Sequence, residues 1–255
     1  MKKESEQKQK KKKGALHDVV GLVIALLIAL GIRSFMFEPY NIPSGSMFPT
    51  LLVGDYLFIT KHDYGYSRHS FPFSLPLIPK GRLFGSQPQQ GDVVIFRMTP
   101  QINPQLSMNI DYIKRVIGLP GDTVQMKDGR LYINDVMVER EFVGQEKMNT
   151  EQGEITYNKY IETLPNGLKH PIYEINDGLQ ADNTQKFVIP EGYFFAMGDN
   201  RDNSLDSRFF GPVPQVNLEG KARFIFYSTT GDGWFFQFWR WGDFIRKERL
   251  FTGIK

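Results

Sequence analysis

Three stretches of this 255-residue chain gather side chains able to carry a reaction. Pro43-Ser44-Gly45-Ser46-Met47-Phe48-Pro49-Thr50 sets two serines about a glycine, between prolines that favour a tight turn presenting hydroxyls. Asp111-Tyr112-Ile113-Lys114-Arg115-Val116-Ile117 places a lysine inside an apolar run that ends in Gly118-Leu119-Pro120-Gly121-Asp122. Strand alternation sends Tyr112 and Lys114 to one face and Ile113 to the other. Burial among apolar neighbours disfavours an ammonium, so such a lysine becomes available as a neutral base. The third stretch, GDNRDNSLDSR from Gly198 to Arg208, is dense in Asp, Asn and Ser. A calcium loop starting at Asp202 fails, because Ser207 stands where glycine is needed and Val213 where the bidentate glutamate belongs. What remains is a hydrogen-bonded loop with Asp–Arg pairing. Each stretch has an ordinary reading too: a linker, a lysine snorkelling from a sheet edge, a polar loop.

Composition narrows the chemistry. The chain has no cysteine, which excludes disulfides, a thiol nucleophile and thiolate metal sites. Its four histidines (His17, His62, His69, His170) are scattered and form no HExxH pair, so no histidine-built metal site is expected. Nucleophilic hydrolysis then falls to a hydroxyl with a base other than cysteine or histidine, and serine with lysine is one such arrangement. Of 31 basic and 28 acidic residues, seven lysines and two glutamates lie in residues 1–13, which leaves the remainder at −2. The basic character belongs to a tail, and no nucleic-acid-binding surface is expected.

Residues 15–38 read as a transmembrane anchor: Val19 to Ile32 carry no charge, and Phe35-Met36-Phe37 extend the apolar run before Glu38-Pro39 stops it. A cleaved signal peptide, supported by the small pair Ala29 and Gly31, and a buried core helix are the competing readings. Lysines ahead of the segment put residues 1–14 in the cytosol as a basic tail, and residues 39–255 on the outer side. Beyond residue 40, short aromatic and β-branched runs alternate with turns such as Asp128-Gly129 and Asn134-Asp135, which predicts a mainly β body of closed or nearly closed sheets. Residues 61–90 and 143–186 look like insertions, the second an accessory subdomain or long hairpin. Near the end, Trp234-Phe235-Phe236, Phe238-Trp239 and Trp241 alternate with Arg240 and Arg246, which suits a headgroup region or the closing of the sheets.

Taken in order, the apolar segment, PSGSMFPTL, GDVVIF (Gly91 to Phe96), YIKRVIGLPGD and GDNRDNSLDSR resemble the signature boxes of bacterial type I signal peptidases, the serine–lysine dyad family. The resemblance implies a mainly β catalytic core with an accessory β subdomain, tethered by one N-terminal transmembrane helix. It implies Ser46 as nucleophile, Lys114 as general base and Ser44 as a hydroxyl donor to the oxyanion hole. Ser204 would orient the Lys114 amine, and Asp206 and Arg208 would brace that loop as an ion pair. Ile42, Pro43, Met47, Leu51, Tyr112 and Ile113 would shape shallow apolar pockets. The implied reaction removes signal peptides from exported preproteins through an acyl-enzyme, after small residues at −1 and −3. The implied setting is the outer face of the bacterial inner membrane, with the lipid bilayer and the export machinery as partners and no cofactor. Two other serine–lysine peptidase types compete: a self-cleaving repressor, which normally carries a DNA-binding domain that residues 1–40 do not offer, and a plasmid-transfer peptidase. A membrane-tethered domain that binds exported chains without cutting them would have no special need of Lys114.

Overall fold

The computed structural model describes residues 17–31, 36–66, 81–150, 153–231 and 241–254. Among them, the short β-branched and aromatic runs become strands. These are β1 (Phe37–Asn41), β2 (Asp55–Thr60), β3 (Val93–Met98), β4 (Ile110–Gly118), β5 (Thr123–Lys127), β6 (Arg130–Ile133) and β7 (Val136–Met137). Three longer ones follow, β8 (Glu139–Thr150), β9 (Gly153–Thr163) and β10 (Lys169–Glu174). The remainder are β11 (Phe187–Val188), β12 (Tyr193–Met197), β13 (Val213–Pro214), β14 (Leu218–Ser228) and β15 (Thr252–Gly253).

The principal sheet runs β1-β2-β14-β3-β4-β12-β13, with β15 added to β14, and its pairings are antiparallel. Val93, Val94, Ile95 and Phe96 of β3 are buried in succession, because both faces of the sheet are covered. One face gathers Ile42, Met47, Leu51, Leu57, Ile59, Val93, Ile95 and Ile113. The other gathers Val94, Phe96, Val116, Phe194, Ala196, Val213 and Leu218. A second sheet, β11-β5-β6-β7, shares a third cluster in which Ile117, Phe195 and Met197 of the principal sheet meet Val124, Met126, Leu131 and Ile133.

Turn chemistry behaves as expected. Asp128 and Gly129 have φ of 47° and 71° between paired Lys127 and Arg130, and Asn134 and Asp135 have 53° and 62° between paired Ile133 and Val136. Positive φ at both central residues is what a two-residue hairpin needs to match strand twist.

The third sheet, β10-β9-β8, occupies 139–174, so the segment expected as an accessory subdomain forms strands, but over different bounds. Residues 175–186 return to the second sheet instead, where Thr184 Oγ1 accepts the Met126 N–H and Asp182 O the Gly129 N–H. Cross-strand pairs such as Lys159–Glu146 and Lys147–Glu154, both 2.6 Å, line the solvent side and explain the polar text.

Residues 17–31 form a helix, α1, whose apolar side chains face outward; Leu22 is 72% exposed, which is not the environment of a core helix. Among the described residues no helix is long and apolar enough to cross a membrane, and residues 1–16 and 32–35 of the expected tail and anchor lie outside them. In the 61–90 segment, Tyr66 bridges to Leu83, and 67–80 lie outside the described residues. Residues 232–240, holding most of the C-terminal aromatic cluster with Arg240, also lie outside. A helical turn α2 (Ser207–Phe210) follows the polar loop, and α3 (Trp241–Phe244) precedes the chain's last turn.

Phe194 is fully buried and meets Phe96 edge-on at 5.5 Å. Phe194→Ala is expected to destabilise the body by about 3–5 kcal/mol, read as a lowered denaturant midpoint.

Candidate active site

β4 is the carrier. Along Ile110–Lys114 it pairs with β3 on one edge, whereas β12 joins its other edge only from Arg115, opposite Met197. Among the described residues no strand pairs with that second edge along Ile110–Lys114. The serine turn meets it there. Gly45–Met47 is a single 3-10 turn, anchored by Met47, which is completely buried, and continued by Leu51 N–H bonding to the Met47 carbonyl at 2.9 Å.

Lys114 Nζ donates to Ser46 Oγ at 2.6 Å and to the Ile113 carbonyl at 3.0 Å. It lies 5.4 Å from the centre of the Tyr112 ring, on the face that alternation assigned to both. The lysine is 4% exposed. Burial pulls its pKa down to about 8, against the charges of Asp206 and Asp199 and with help from Arg208. The neutral amine, with a free lone pair within reach of a serine hydroxyl, is thus far more populated near neutral pH than in an ordinary lysine.

The turn is held from the polar loop. Asn200 N–H donates to the Ser46 carbonyl at 3.1 Å, and Asn200 Nδ2 to the Gly45 carbonyl at 3.0 Å. Thr50 Oγ1 donates to Asp199 Oδ2 at 2.5 Å. Arg115 grips the same carboxylate with Nε and Nη2, both at 2.8 Å, and sends Nη1 to the Gly91 carbonyl. Burial opposes ionisation of Asp199, but the Arg115 guanidinium outweighs it and keeps the carboxyl well below its ordinary range. At Gly198 a Cβ would stand 2.4 Å from the Ser46 carbonyl oxygen and 2.3 Å from Ser204 Oγ, so glycine alone allows this approach.

Asp206 and Arg208 form the expected pair, Nε to Oδ1 and Nη2 to Oδ2, each at 2.9 Å. Asp206 also caps α2 through the Arg208 N–H and accepts the Gly198 N–H at 3.0 Å. Burial works against its ionisation, yet Arg208 and the Gly198 N–H leave it below the usual carboxylate range. Ser204 stands beside this carboxylate, and its buried hydroxyl completes no hydrogen bond of ordinary geometry. Among the described residues, Nζ of Lys114 bonds only Ser46 and Ile113, not Ser204. Ser44 is exposed and extended, at φ −132° and ψ 155°, and its side chain caps nothing.

The six expected lining residues divide. Ile42, Met47, Leu51 and Ile113 form one buried apolar cluster directly under the turn. Pro43 is exposed. Tyr112 lies on the opposite face of β4, against Phe96 and Phe210 at 6.1 and 6.2 Å. Sequence reasoning missed Thr50, Arg115, Gly198, Asp199 and Asn200 as the clamp. All five stood inside the recognised motifs, but their partners are 65 to 155 positions away. Among the described residues no group of three or more His, Asp or Glu could hold a metal ion.

The chain matches the family model for signal peptidase, peptidase S26, over residues 16–227. It is 46% identical over 218 residues to signal peptidase I of Rickettsia conorii, covering 82% of this chain and 78% of that protein. To signal peptidase I of Rickettsia typhi it is 40% identical over 265 aligned positions, 96% of each. A crystal structure of a signal peptidase I from Enterococcus faecalis, 29% identical, aligns with 53% of this chain and 97% of its own at a TM-score of 0.30.

Gly198→Ala would push the serine turn from its place. A loss of hydrolytic rate on the order of 100-fold is expected, with circular dichroism unchanged.

Proposed function

The chain belongs to the signal peptidase family, peptidase S26, a family of serine endopeptidases that remove signal peptides, and from that premise we propose how its own residues do so. The observation that carries the reading is the 2.6 Å contact between Ser46 and a lysine amine that burial has made a weaker base. Neutral Lys114 takes the Ser46 proton as Oγ attacks the carbonyl carbon of the −1 residue. The resulting oxyanion lies toward the Ser46 N–H and the Ser44 hydroxyl, which stabilise it more than the ground-state carbonyl. The new ammonium then gives its proton to the departing amine of the mature protein. An ester on Ser46 remains, and Lys114 next deprotonates the water that hydrolyses it. Ser204, whose hydroxyl lacks an ordinary partner, orients the amine through this cycle. Asp206 and Arg208 hold the loop beneath it.

The substrate enters as an added strand along the open edge of β4, where main-chain hydrogen bonds supply affinity. Side chains at −1 and −3 fall on one face of that strand. Over Ile42, Met47, Leu51 and Ile113, which already fill the space beneath the turn, they must be small. Pro43 and Tyr112 border the entry.

Residues 15–38 tether the enzyme to the lipid bilayer, with 1–14 in the cytosol and the catalytic body of 39–255 on the outer side of the cytoplasmic membrane. Ser46 lies nine residues beyond Phe37, within about 30 Å of extended chain. That reach suits substrates still held in the bilayer and handed on by the export machinery.

The detergent-solubilised protein should cleave a preprotein at a small-x-small site, and Ser46→Ala and Lys114→Met should each lose roughly 1,000-fold or more in kcat. Because only the neutral amine accepts the proton, kcat/KM should climb with pH and level off above about 8; a flat profile from pH 6 to 9 would exclude lysine as the base. The full chain should resist extraction from membranes by alkaline carbonate, and a variant lacking residues 1–38 should be released.

A further inference from the structure

The accessory sheet turns a buried charged face toward the catalytic body. Glu162 of β9 and His170 of β10 are each 2% exposed, on a sheet whose other face is solvated. His170 Nε2 lies 3.2 Å from Glu162 Oε2, and Nδ1 lies 3.4 Å from Asp199 Oδ1. Glu162 also accepts both terminal nitrogens of Arg201, at 2.9 and 2.5 Å. Backbone contact follows the same line: Tyr173 N–H of β10 donates to the Asp199 carbonyl at 2.9 Å, and Tyr173 bridges to Asn200. The proposed mechanism uses neither Glu162 nor His170. Taking such groups out of water is costly unless each finds a partner, so their burial calls for a reason.

That reason is their far end. Asp199 is reached from three elements at once: by Arg115 of β4, by Thr50 of the serine turn and by His170 of β10. Glu162 and Arg201 stand behind the histidine, and Glu174 of β10 lies in the field of Arg201. We propose that His170 is a positioning residue for the Ser46–Lys114 pair: it sets the Asp199 carboxylate in the orientation at which that carboxylate grips Arg115 and Thr50. This rests on the dyad reading above. The accessory sheet is thereby part of the catalytic apparatus without touching substrate.

The electrostatics agree with the geometry. Burial opposes ionisation of both Glu162 and Asp199; it is outweighed first by Arg201 and Arg115 respectively, and His170 adds to each. Asp199 in turn favours the protonated form of Lys114, together with Asp206 and against Arg208. Loss of His170 removes the accessory sheet's side-chain contact with Asp199 and leaves that carboxylate freer to swing. A displaced carboxylate alters the field on Lys114, shifting its titration, and loosens Thr50 and with it Ser46.

The test compares His170→Gln and Glu162→Gln with wild type on one small-x-small peptide in detergent, with Ser46→Ala as control. For His170→Gln, kcat should fall on the order of ten-fold with KM within about two-fold, and the acid limb of kcat/KM should shift by about half a unit. A lowered Tm with kcat and the acid limb both unchanged would mean a merely structural histidine and overturn the proposal. Should His170→Gln fail to fold, Glu162→Gln decides, since it keeps the volume and removes one buried charge: a shifted acid limb supports the coupling and an unmoved one overturns it. An active Ser46→Ala would instead sink the dyad reading. An inactive Ser46→Ala beside wild-type behaviour in both glutamine variants sinks this proposal alone.

Discussion

The buried pair between Arg115 and Asp199 is the contact on which the rest of the site depends. Both side chains are essentially inaccessible to water, and their contacts with each other, with Thr50 and with the Gly91 carbonyl join segments far apart in the chain. A buried ion pair rarely adds net stability, since desolvation of two charges offsets their attraction. Its use is geometric. A bidentate guanidinium–carboxylate contact tolerates little rotation, so β4, the loop after β12 and the serine turn are held in one relation. Removing either partner alone would strand the other charge in the interior.

From that anchor the lysine acquires its chemistry. Lys114 precedes Arg115 on an extended strand, so alternation sends the two cations to opposite faces. One is gripped by Asp199 and the Gly91 carbonyl; the other is buried with a hydroxyl and a carbonyl as its nearest partners and loses affinity for its proton. Asp206 and Asp199 limit the drop. A deeper depression would make a lysine too weak to take a serine proton, and a shallower one would leave it protonated at working pH.

The chain's end reinforces the same turn. Arg249 donates to the Thr50 carbonyl at 2.9 Å and grips Asp55, which is fully buried and also accepts from Ser228 and the Leu52 N–H. Thr50 is thus fixed at its hydroxyl by the polar loop and at its carbonyl by the C-terminal segment. Conformational entropy that the nucleophile's turn would otherwise lose at each turnover has already been lost in folding.

The local text by itself determined the β class, the two hairpin turns, the face shared by Tyr112 and Lys114, and Asp–Arg pairing within the polar loop, because alternation, turn residues and short-range pairing are properties of neighbouring residues; the resemblance named Asp206 and Arg208 as that pair. It also singled out Ser46 and Lys114 as chemistry-bearing types, and the motif order brought them together by resemblance. The strands of the accessory sheet were hard to read, since solvated Lys–Glu ladders lack a hydrophobic period. What only the tertiary structure decided was who meets whom across long separations. Asp199 looked like one polar loop residue among several and proved to be the hub for Arg115, Thr50 and His170. Alternation put Tyr112 on the face away from Ile113, but only the fold set it against Phe96 and Phe210. Such pairings follow from the register of non-adjacent strands, and no local preference within either partner's segment encodes them.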